Sequence, residues 1–212
     1  MAGKLLSIEG IDGCGKSTHA RLLSQWLRSK GYETVVTDEP TDGPIGRIIK
    51  QALRGRLKLP VAAEALLFAA DRMQHIAEVI KPALDAGKVV IAERYTYSSL
   101  AYQSARGLPM PWVEAINRGA VKPDLTIIID VPVEVALTRM RRSRRLDEFE
   151  SDPKLQRRVR ANYLRLARQK GLKVVDGSRA IEEVQAEIRR IVDAALGSRP
   201  PTCLSAPRKA GS

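Results

Sequence analysis

The strongest chemical signal in the chain is the segment GIDGCGKST near its start. It matches G-x-x-x-x-G-K-[ST], follows an apolar run and precedes a predicted helix, which is the context that this phosphate-binding motif requires. Glycines let backbone N–H groups face phosphate oxygens, and the start of the helix adds its dipole. Lys16 supplies a positive charge for the terminal phosphates, and Ser17 supplies a hydroxyl for Mg²⁺. The candidate residues for binding a triphosphate are Gly10, Ile11, Asp12, Gly13, Cys14, Gly15, Lys16, Ser17 and Thr18.

A phosphate loop does not define a reaction by itself. GTPases need an N-K-x-D segment to read the base, and the sequence contains none. Motor ATPases and helicases usually carry an acidic pair after a hydrophobic strand, whereas Asp130 is followed here by Val131. The length of 212 residues favours one domain. These observations favour a small kinase over the other classes. For the glycine-rich segment itself, the alternative is a turn that binds nothing.

Five segments, in order, resemble the thymidylate kinase family over most of residues 4–196. They are EGIDGCGKST at 9–18, DEPT and GPIGR at 38–47, LLFAADR at 66–72, ERY and SSLAYQ at 93–103, and the arginine-rich stretch 139–145. The resemblance implies a homodimeric enzyme of deoxynucleotide biosynthesis that uses ATP and Mg²⁺ to phosphorylate dTMP to dTDP. Another nucleoside monophosphate kinase of the same fold is the alternative.

The same resemblance implies an acceptor site. It places Asp12 near the 3′-hydroxyl of the sugar, Arg94 and Arg47 near the acceptor phosphate, and Tyr102 near the base and sugar. For Arg47, an ordinary surface arginine is the alternative, and for Tyr102, ordinary packing. The expected substrate-binding residues are Asp12, Glu39, Arg47, Phe68, Arg72, Arg94, Ser98, Ser99 and Tyr102.

Phe68 and Arg72 can also be interpreted without the resemblance. They are four positions apart on a predicted helix and therefore share one of its faces. A pyrimidine needs an aromatic platform and a donor to its carbonyl edge, and these two side chains supply both. The alternative is that Phe68, one of two phenylalanines, only packs in the core.

The expected catalytic residues are Lys16, Glu93, Arg94 and three arginines of a lid, Arg142, Arg144 and Arg145. Some thymidylate kinases carry an arginine in the phosphate loop at the position of Gly13. Because this chain has glycine there, it resembles the members with arginines in a lid, here about 139–151. Ser17 and Glu93 are the candidate Mg²⁺ ligands. The family commonly has Asp-Arg where this chain has Glu93-Arg94, so a purely structural role for Glu93 is the alternative.

The elements that must position these residues alternate regularly along the chain. Short apolar runs predict strands, and periodic stretches between them predict helices. This order predicts an α/β fold of the P-loop nucleoside monophosphate kinase type, a five-stranded parallel sheet flanked by helices, within one domain over 1–196. The predicted strands are 5–8, 34–37, 89–92, 125–129 and 172–175, and the predicted helices are 16–30, 45–53, 61–86, 96–106, 111–120, 133–142, 152–170 and 180–196.

The composition sets further limits. Residues 197–212 lack a period, contain three prolines and predict a disordered tail. Two cysteines 189 positions apart exclude a disulfide scaffold, and no apolar run reaches membrane-spanning length, so we expect a cytoplasmic protein without a membrane partner. The net charge is +12, which leaves a nucleic-acid-binding P-loop ATPase as a distant alternative; we expect no nucleic acid partner.

Overall fold

A computed structural model describes residues 2–143 and 152–197, without the side chains at 142 and 143. The predicted lid arginines Arg144 and Arg145, the side chain of Arg142 and the predicted tail from 198 onward lie outside the described residues. The strands are β1 (Lys4–Glu9), β2 (Thr34–Asp38), β3 (Val89–Glu93), β4 (Leu125–Asp130) and β5 (Lys173–Asp176). The helices are α1 (Lys16–Ser29), α2 (Pro44–Leu53), α3 (Val61–His75), α4 (Lys81–Asp85), α5 (Thr96–Ala105), α6 (Met110–Ile116), α7 (Val133–Ser143), α8 (Pro153–Lys170) and α9 (Ile181–Leu196).

The five strands form one parallel sheet in the order β2-β3-β1-β4-β5, which confirms the predicted fold class. The three central strands β1, β3 and β4 are buried along most of their length and are mainly apolar, as expected for strands covered by helices on both faces. Because the strands are parallel, their carboxyl ends all lie on one side of the sheet, where ligands bind in folds of this kind. The phosphate loop follows β1 on that side. Glu93 is the last residue of the neighbouring β3, and Arg94 follows it directly.

The predicted helix 61–86 is interrupted in the structure. A π-helical turn, Ile76–Ile80, separates α3 from α4. Pro82 lies in the first turn of α4. Because proline lacks a backbone N–H and its ring collides with the carbonyl four residues earlier, a regular α-helix could not continue through this position. The wider turn therefore lets the chain pass Pro82 while remaining helical.

Most other boundaries differ from the prediction by one residue, and the end of α6 differs by four. Helix α6 ends at Ile116 rather than at 120, and the side chain of Asn117 donates to the carbonyl of Val113 in its last turn (2.8 Å). Strand β5 begins one residue later than predicted. Leu172 takes part in capping the end of α8 instead. Its N–H donates to the carbonyl of Ala167 (3.0 Å), directly after the left-handed Gly171.

Candidate active site

The phosphate loop joins the end of β1 to the start of α1. Gly10, Gly13 and Gly15 all have positive φ, at 143°, 75° and 100°. At Gly13 the space is also closed, since a Cβ there would lie 2.5 Å from the carbonyl oxygen of Ala136 and 2.7 Å from Cγ of Met140. Helix α7 is therefore packed directly against the loop, and only glycine fits at position 13.

Lys16 is almost buried at the first turn of α1. Its Nζ donates to the carbonyls of Gly10 (3.2 Å) and Ile11 (2.9 Å), so the amine lies inside the curve of the loop. The thiol of Cys14 is buried beside it, and burial raises the pKa of that thiol. An un-ionised, buried thiol has no reactive role here, so Cys14 serves as a small packing residue.

Ser17 and Glu93, the two candidate Mg²⁺ ligands, lie next to each other. Ser17 Oγ donates to Glu93 Oε1 at 2.8 Å. No group of three or more His, Cys, Asp or Glu side chains arranged to hold a metal occurs within 2–143 and 152–197. Mg²⁺ typically takes only one or two protein oxygens and completes its shell with phosphate oxygens and water. This pair of oxygens, exposed at the start of α1, therefore fits Mg²⁺ bound together with a nucleotide.

A cleft opens beside the phosphate loop at the same edge of the sheet, with about 640 Å³ of empty volume, part of it open to solvent. It is formed by α3, α5 and the segments after β1, β2 and β3. The structure brings together eight of the nine predicted substrate residues in its wall. The lining residues are Asp12, Glu39, Pro40, Leu53, Glu64, Phe68, Arg72, Arg94, Ser98, Ser99, Tyr102, Gln103 and Arg106.

The ninth predicted residue, Arg47, lies elsewhere. It is exposed on α2, and its Nη1 donates to the carbonyl of Asp42 at 2.8 Å. It is absent from the wall of the cleft. A long arginine side chain can change its direction from such a position, so a contact with the acceptor phosphate stays a prediction.

Arg94 lies where the phosphate loop meets the cleft. It is the single non-glycine residue with positive φ (66°) in the described ranges, a strained conformation typical of functional sites. Its guanidinium forms an ion pair with Asp12 and lies 5.0 Å from the ring centre of Tyr102. Tyr102 in turn donates to Asp12 Oδ2 at 2.7 Å. These contacts fix a cation at the junction of the two sites.

Asp12 is ionised in this arrangement. Burial by itself would raise the pKa of its carboxyl, but the positive charges of Arg94 and Lys16 outweigh burial and lower the pKa to about 2. The carboxylate is thus an acceptor at the border of loop and cleft. It can accept from a sugar hydroxyl on the cleft side while it orients Arg94.

Arg72 is buried in the wall of the cleft, and the protein itself occupies all of its donors. Nε and Nη2 donate to Glu39 Oε2 (2.9 and 2.6 Å), and Nη2 also donates to the carbonyl of Tyr95 (3.0 Å). Nη1 donates to Ser99 Oγ (3.1 Å) and to Asn117 Oδ1. The sequence predicted a donor free for a base carbonyl; the structure instead shows a guanidinium that must exchange one acceptor to make that contact.

The other predicted cleft residues have distinct surroundings. Phe68 is half-buried and lines the cleft, which agrees with a platform for a base rather than with a residue fully inside the core. Ser98 Oγ donates to the buried Glu9 (2.6 Å), so its hydroxyl is held by the protein. Both carboxylate oxygens of Glu39 have protein partners, Oε2 with Arg72 and Oε1 with His75. The role of Glu39 in the wall of the cleft is therefore to hold these two side chains.

Gln103 was not among the expected site residues, although it belongs to the SSLAYQ segment. Only 3% of it is exposed, it lines the cleft, and its Oε1 has no hydrogen-bond partner. A buried amide oxygen without a partner is costly unless a ligand or water satisfies it. The spacing could have revealed it, since Gln103 lies one helical turn after Ser99 and shares its face of α5.

The predicted lid, about 139–151, overlaps the last residues of α7, and of it only 139–143 lie within the described residues. Arg139 donates to the carbonyl of Gly177 at 3.0 Å and is thereby tied to the segment after β5. Arg139 therefore connects α7 to the segment after β5.

Among the described residues, no helix is long and apolar enough to cross a membrane.

Comparison with known proteins agrees with this geometry. The model of the family described as Thymidylate kinase matches residues 8–188. A "Probable thymidylate kinase" of Thermococcus kodakarensis is 46% identical over 199 residues, covering 90% of this chain and 97% of the relative. One of Pyrococcus horikoshii is 45% identical over 198 residues, covering 91% and 97%. A "Thymidylate kinase" of Symbiobacterium thermophilum is 45% identical over 206 residues, covering 92% and 94%. The chain belongs to the thymidylate kinase family.

Proposed function

We propose that this chain transfers the γ-phosphoryl group of ATP to dTMP and so produces dTDP. The observation that carries the proposal is the junction at Arg94 and Asp12, where a phosphate loop opens into a cleft lined by an aromatic ring and polar side chains. Two nucleotides bound on either side of this junction have their phosphates facing each other. Phosphoryl transfer depends mainly on such positioning and on cations around the migrating group.

The donor binds at the phosphate loop. Backbone N–H groups of the loop and of the first turn of α1 surround the β- and γ-phosphates. Lys16 Nζ, which lies inside the loop, exchanges its carbonyl acceptors for phosphate oxygens. Ser17 and Glu93 are the residues that would hold Mg²⁺, which would supply positive charge next to the donor phosphates. Glu93 and Ser17 already lie at hydrogen-bonding distance, so little rearrangement is needed.

The acceptor binds in the cleft. Phe68 stacks on the pyrimidine, while Gln103 and Arg72 meet its polar edge. Asp12 and Tyr102 face the sugar, and Arg94 binds the phosphate through its guanidinium fork, for which a planar arginine suits two phosphate oxygens. Because Arg94 also contacts Asp12, an acceptor phosphate bound to it lies beside the phosphate loop and in reach of the γ-phosphoryl group.

We further propose that Arg142, Arg144 and Arg145 supply the cations that close over the transferring group. Gly13 cannot be replaced by a larger residue because α7 fills the space next to it. The additional positive charge must therefore come from outside the loop. Arg142 belongs to the last turn of α7, and Arg144 and Arg145 follow that helix directly in the sequence. This proposal treats residues 1–196 as one kinase domain whose lid spans about 139–151.

A homodimer formed through α2 and α3 is the final part of this proposal. Leu66 and Met73 are seven positions apart on one face of α3 and are 50% and 47% exposed, and Ile48 on the adjacent α2 is 40% exposed. Exposed apolar groups of this size on neighbouring helices are typical of an interface. We place the enzyme in the cytoplasm, in keeping with its buried free thiol, Cys14.

A panel of acceptors tests the activity. ADP release from ATP and Mg²⁺ is measured with dTMP, dUMP, dCMP, dGMP, UMP and AMP, each over a range of concentrations. The proposal predicts the highest kcat/KM for dTMP. A higher value for another monophosphate would assign the chain to a different nucleotide, and equal rates with and without any acceptor would contradict phosphoryl transfer to the cleft.

A further inference from the structure

The guanidinium of Arg72 is held by a buried chain of polar contacts that extends well away from the cleft. His75, one helical turn after Arg72's neighbour Asp71, contacts Glu39 Oε1 through Nδ1 (3.1 Å) and Thr37 Oγ1 through Nε2 (2.6 Å). Glu39 then binds Arg72 through its other oxygen. His75, Glu39 and Arg72 are 2%, 4% and 2% exposed. The chain of contacts therefore joins strand β2 to the base end of the cleft without passing through solvent.

Two partners determine how His75 is held. A carboxylate oxygen only accepts, so Nδ1 of His75 carries the hydrogen that it shares with Glu39. Nε2 forms the second hydrogen bond, with the hydroxyl of Thr37. Both ring nitrogens are thus occupied, and the ring plane is set by two partners on opposite sides. An imidazole held in this way orients the Glu39 carboxylate in turn.

Asn117 holds Arg72 from the other side. Its Oδ1 accepts from Nη1 of Arg72, and its Nδ2 donates to the carbonyl of Val113 in α6 (2.8 Å). The amide is therefore oriented by the end of a helix, and it is itself buried. Glu39 therefore accepts from Nε and Nη2 of Arg72, and Asn117 accepts from Nη1 of the same guanidinium.

One of the five Arg72 hydrogen bonds differs from the others in being replaceable. Ser99 Oγ accepts from Nη1 at 3.1 Å, and its hydroxyl lines the cleft. A hydroxyl can rotate and take another partner, whereas the carboxylate, the backbone carbonyl and the Asn117 amide are fixed by their own surroundings. The N–H that faces Ser99 is therefore the one that a base carbonyl can take over.

We propose that His75 and Asn117 are positioning residues that hold Arg72 in the one orientation that presents this N–H to the base, so that they determine selectivity for a carbonyl at that edge. The inference rests on the proposed function. A cytosine base offers an amino group where thymine has a carbonyl, and an N–H donor fixed at that place disfavours it. Loss of either positioning residue removes one constraint on the orientation of Arg72, which weakens this discrimination.

The test compares apolar and conservative variants in the full chain. His75→Leu and Asn117→Leu remove the contacts, whereas His75→Asn keeps an N–H in place of Nδ1. We expect the leucine variants to raise KM for dTMP at least fivefold and to lower the kcat/KM ratio of dTMP over dCMP at least fivefold. We expect kcat and KM for ATP to change less than twofold, and His75→Asn to restore both dTMP values to within twofold.

Two controls separate positioning from folding. Ser24→Ala removes another buried contact, Ser24 Oγ to Thr34 Oγ1 (2.8 Å), at the start of β2, and its nucleotide ratio should stay unchanged. Where His75→Leu does not give folded protein in a thermal melt, Thr37→Val removes only the outermost contact and should raise KM for dTMP at least twofold.

The outcomes distinguish this inference from the proposed function. A wild-type chain that does not phosphorylate dTMP overturns the function itself. A wild-type chain that does so, with leucine variants and Thr37→Val that keep the wild-type dTMP KM and nucleotide ratio, overturns the positioning role alone. Equal rises in KM for dTMP and for ATP would also overturn it, because they indicate a general loss of structure.

Discussion

Gly13 lies so close to Ala136 that a single added carbon would be 2.5 Å from the carbonyl oxygen of that residue. The contact joins the phosphate loop to α7, the helix that leads into the proposed lid. The loop proposed to bind the donor phosphates therefore packs directly on α7. The same contact explains why this chain has no room for a catalytic side chain at position 13.

Gly13→Ala should destabilise the protein more than an alanine at a glycine with similar φ and open surroundings. Gly31 is the matched control, with φ 86° and no atom within 4 Å of a Cβ. We expect Gly31→Ala to cost about 1 kcal/mol, which corresponds to a fall in Tm of about 2–4 °C in a chain of this size. Gly13→Ala should lower Tm at least twice as far in a thermal melt. Equal falls would show that the contact with α7 is loose.

Replacing Arg142, Arg144 and Arg145 together by alanine should lower kcat by about 10³, on the scale known for losses of arginines that stabilise transferring phosphoryl groups. KM for dTMP should change little, because the cleft is formed by other segments. The control removes the same charge from exposed positions of α8 by Arg158→Ala, Arg165→Ala and Arg168→Ala. Turnover that is unchanged in the lid variant would refute the lid assignment.

Phe68→Ala should raise KM for dTMP at least fivefold and leave KM for ATP within twofold. The ring is half-buried at the wall of the cleft, and loss of base–aromatic stacking costs about 1–3 kcal/mol per base. Steady-state kinetics with each substrate varied in turn measure both values. A similar rise for both substrates would instead indicate that Phe68 supports the packing of α3.

Asp12 should make the stability of the protein depend on pH in the acid range. Its pKa is lowered to about 2 in the folded protein, against about 3.9 in an unfolded chain. The folded state therefore gains stability that is fully present above about pH 4 and is lost as the pH falls towards 2, by about 2 kcal/mol. Asp12→Asn should show a smaller loss between pH 5 and 2.5 in urea unfolding.

The exposed Asp193→Asn serves as the control for Asp12→Asn, because it removes one carboxylate without touching Arg94. Its unfolding free energy should follow the wild-type pH dependence. If Asp12→Asn followed that same curve, the ion pair of Asp12 with Arg94 would not contribute to stability.

The proposed interface on α2 and α3 predicts a dimer that charged substitutions dissociate. Leu66→Glu with Met73→Glu places two carboxylates on the exposed apolar face of α3, where burial against a second copy would leave them without partners. Light scattering after size exclusion should give twice the chain mass for the wild type and the single mass for the variant. Ile181→Glu, also an exposed apolar position but on α9, should remain dimeric. A monomeric wild type would contradict the interface.

Much of the fold follows from local sequence. The apolar runs around Leu6, Ile91 and Ile128 are separated by helical stretches, and this alternation specified the parallel sheet and the edge at which the site lies. The glycine and lysine pattern of the phosphate loop depends on neighbouring residues alone, so its position was predictable. The boundaries that differed depend on single side chains, such as Pro82 at the π-helical turn and Asn117 at the end of α6.

The environment of Arg72 could not be predicted in the same way. Its spacing from Phe68 correctly brought both residues to the cleft, but its partners Glu39, Ser99 and Asn117 come from three other parts of the chain. Helical periodicity says which face a residue occupies and nothing about which distant groups use its donors. For the same reason, periodicity could not show that Oε1 of Gln103 is buried without a hydrogen-bond partner, which depends on the assembled cleft.

The most direct test of the central claim is the fate of the γ-phosphoryl group itself. The protein is incubated with Mg²⁺, dTMP and ATP labelled in the γ-phosphate, and the products are separated by chromatography. The account predicts that the label appears in dTDP in proportion to the ADP formed, and that Arg94→Ala abolishes this transfer. Label released as inorganic phosphate at a rate independent of dTMP would contradict it and would mark the chain as a nucleoside triphosphatase.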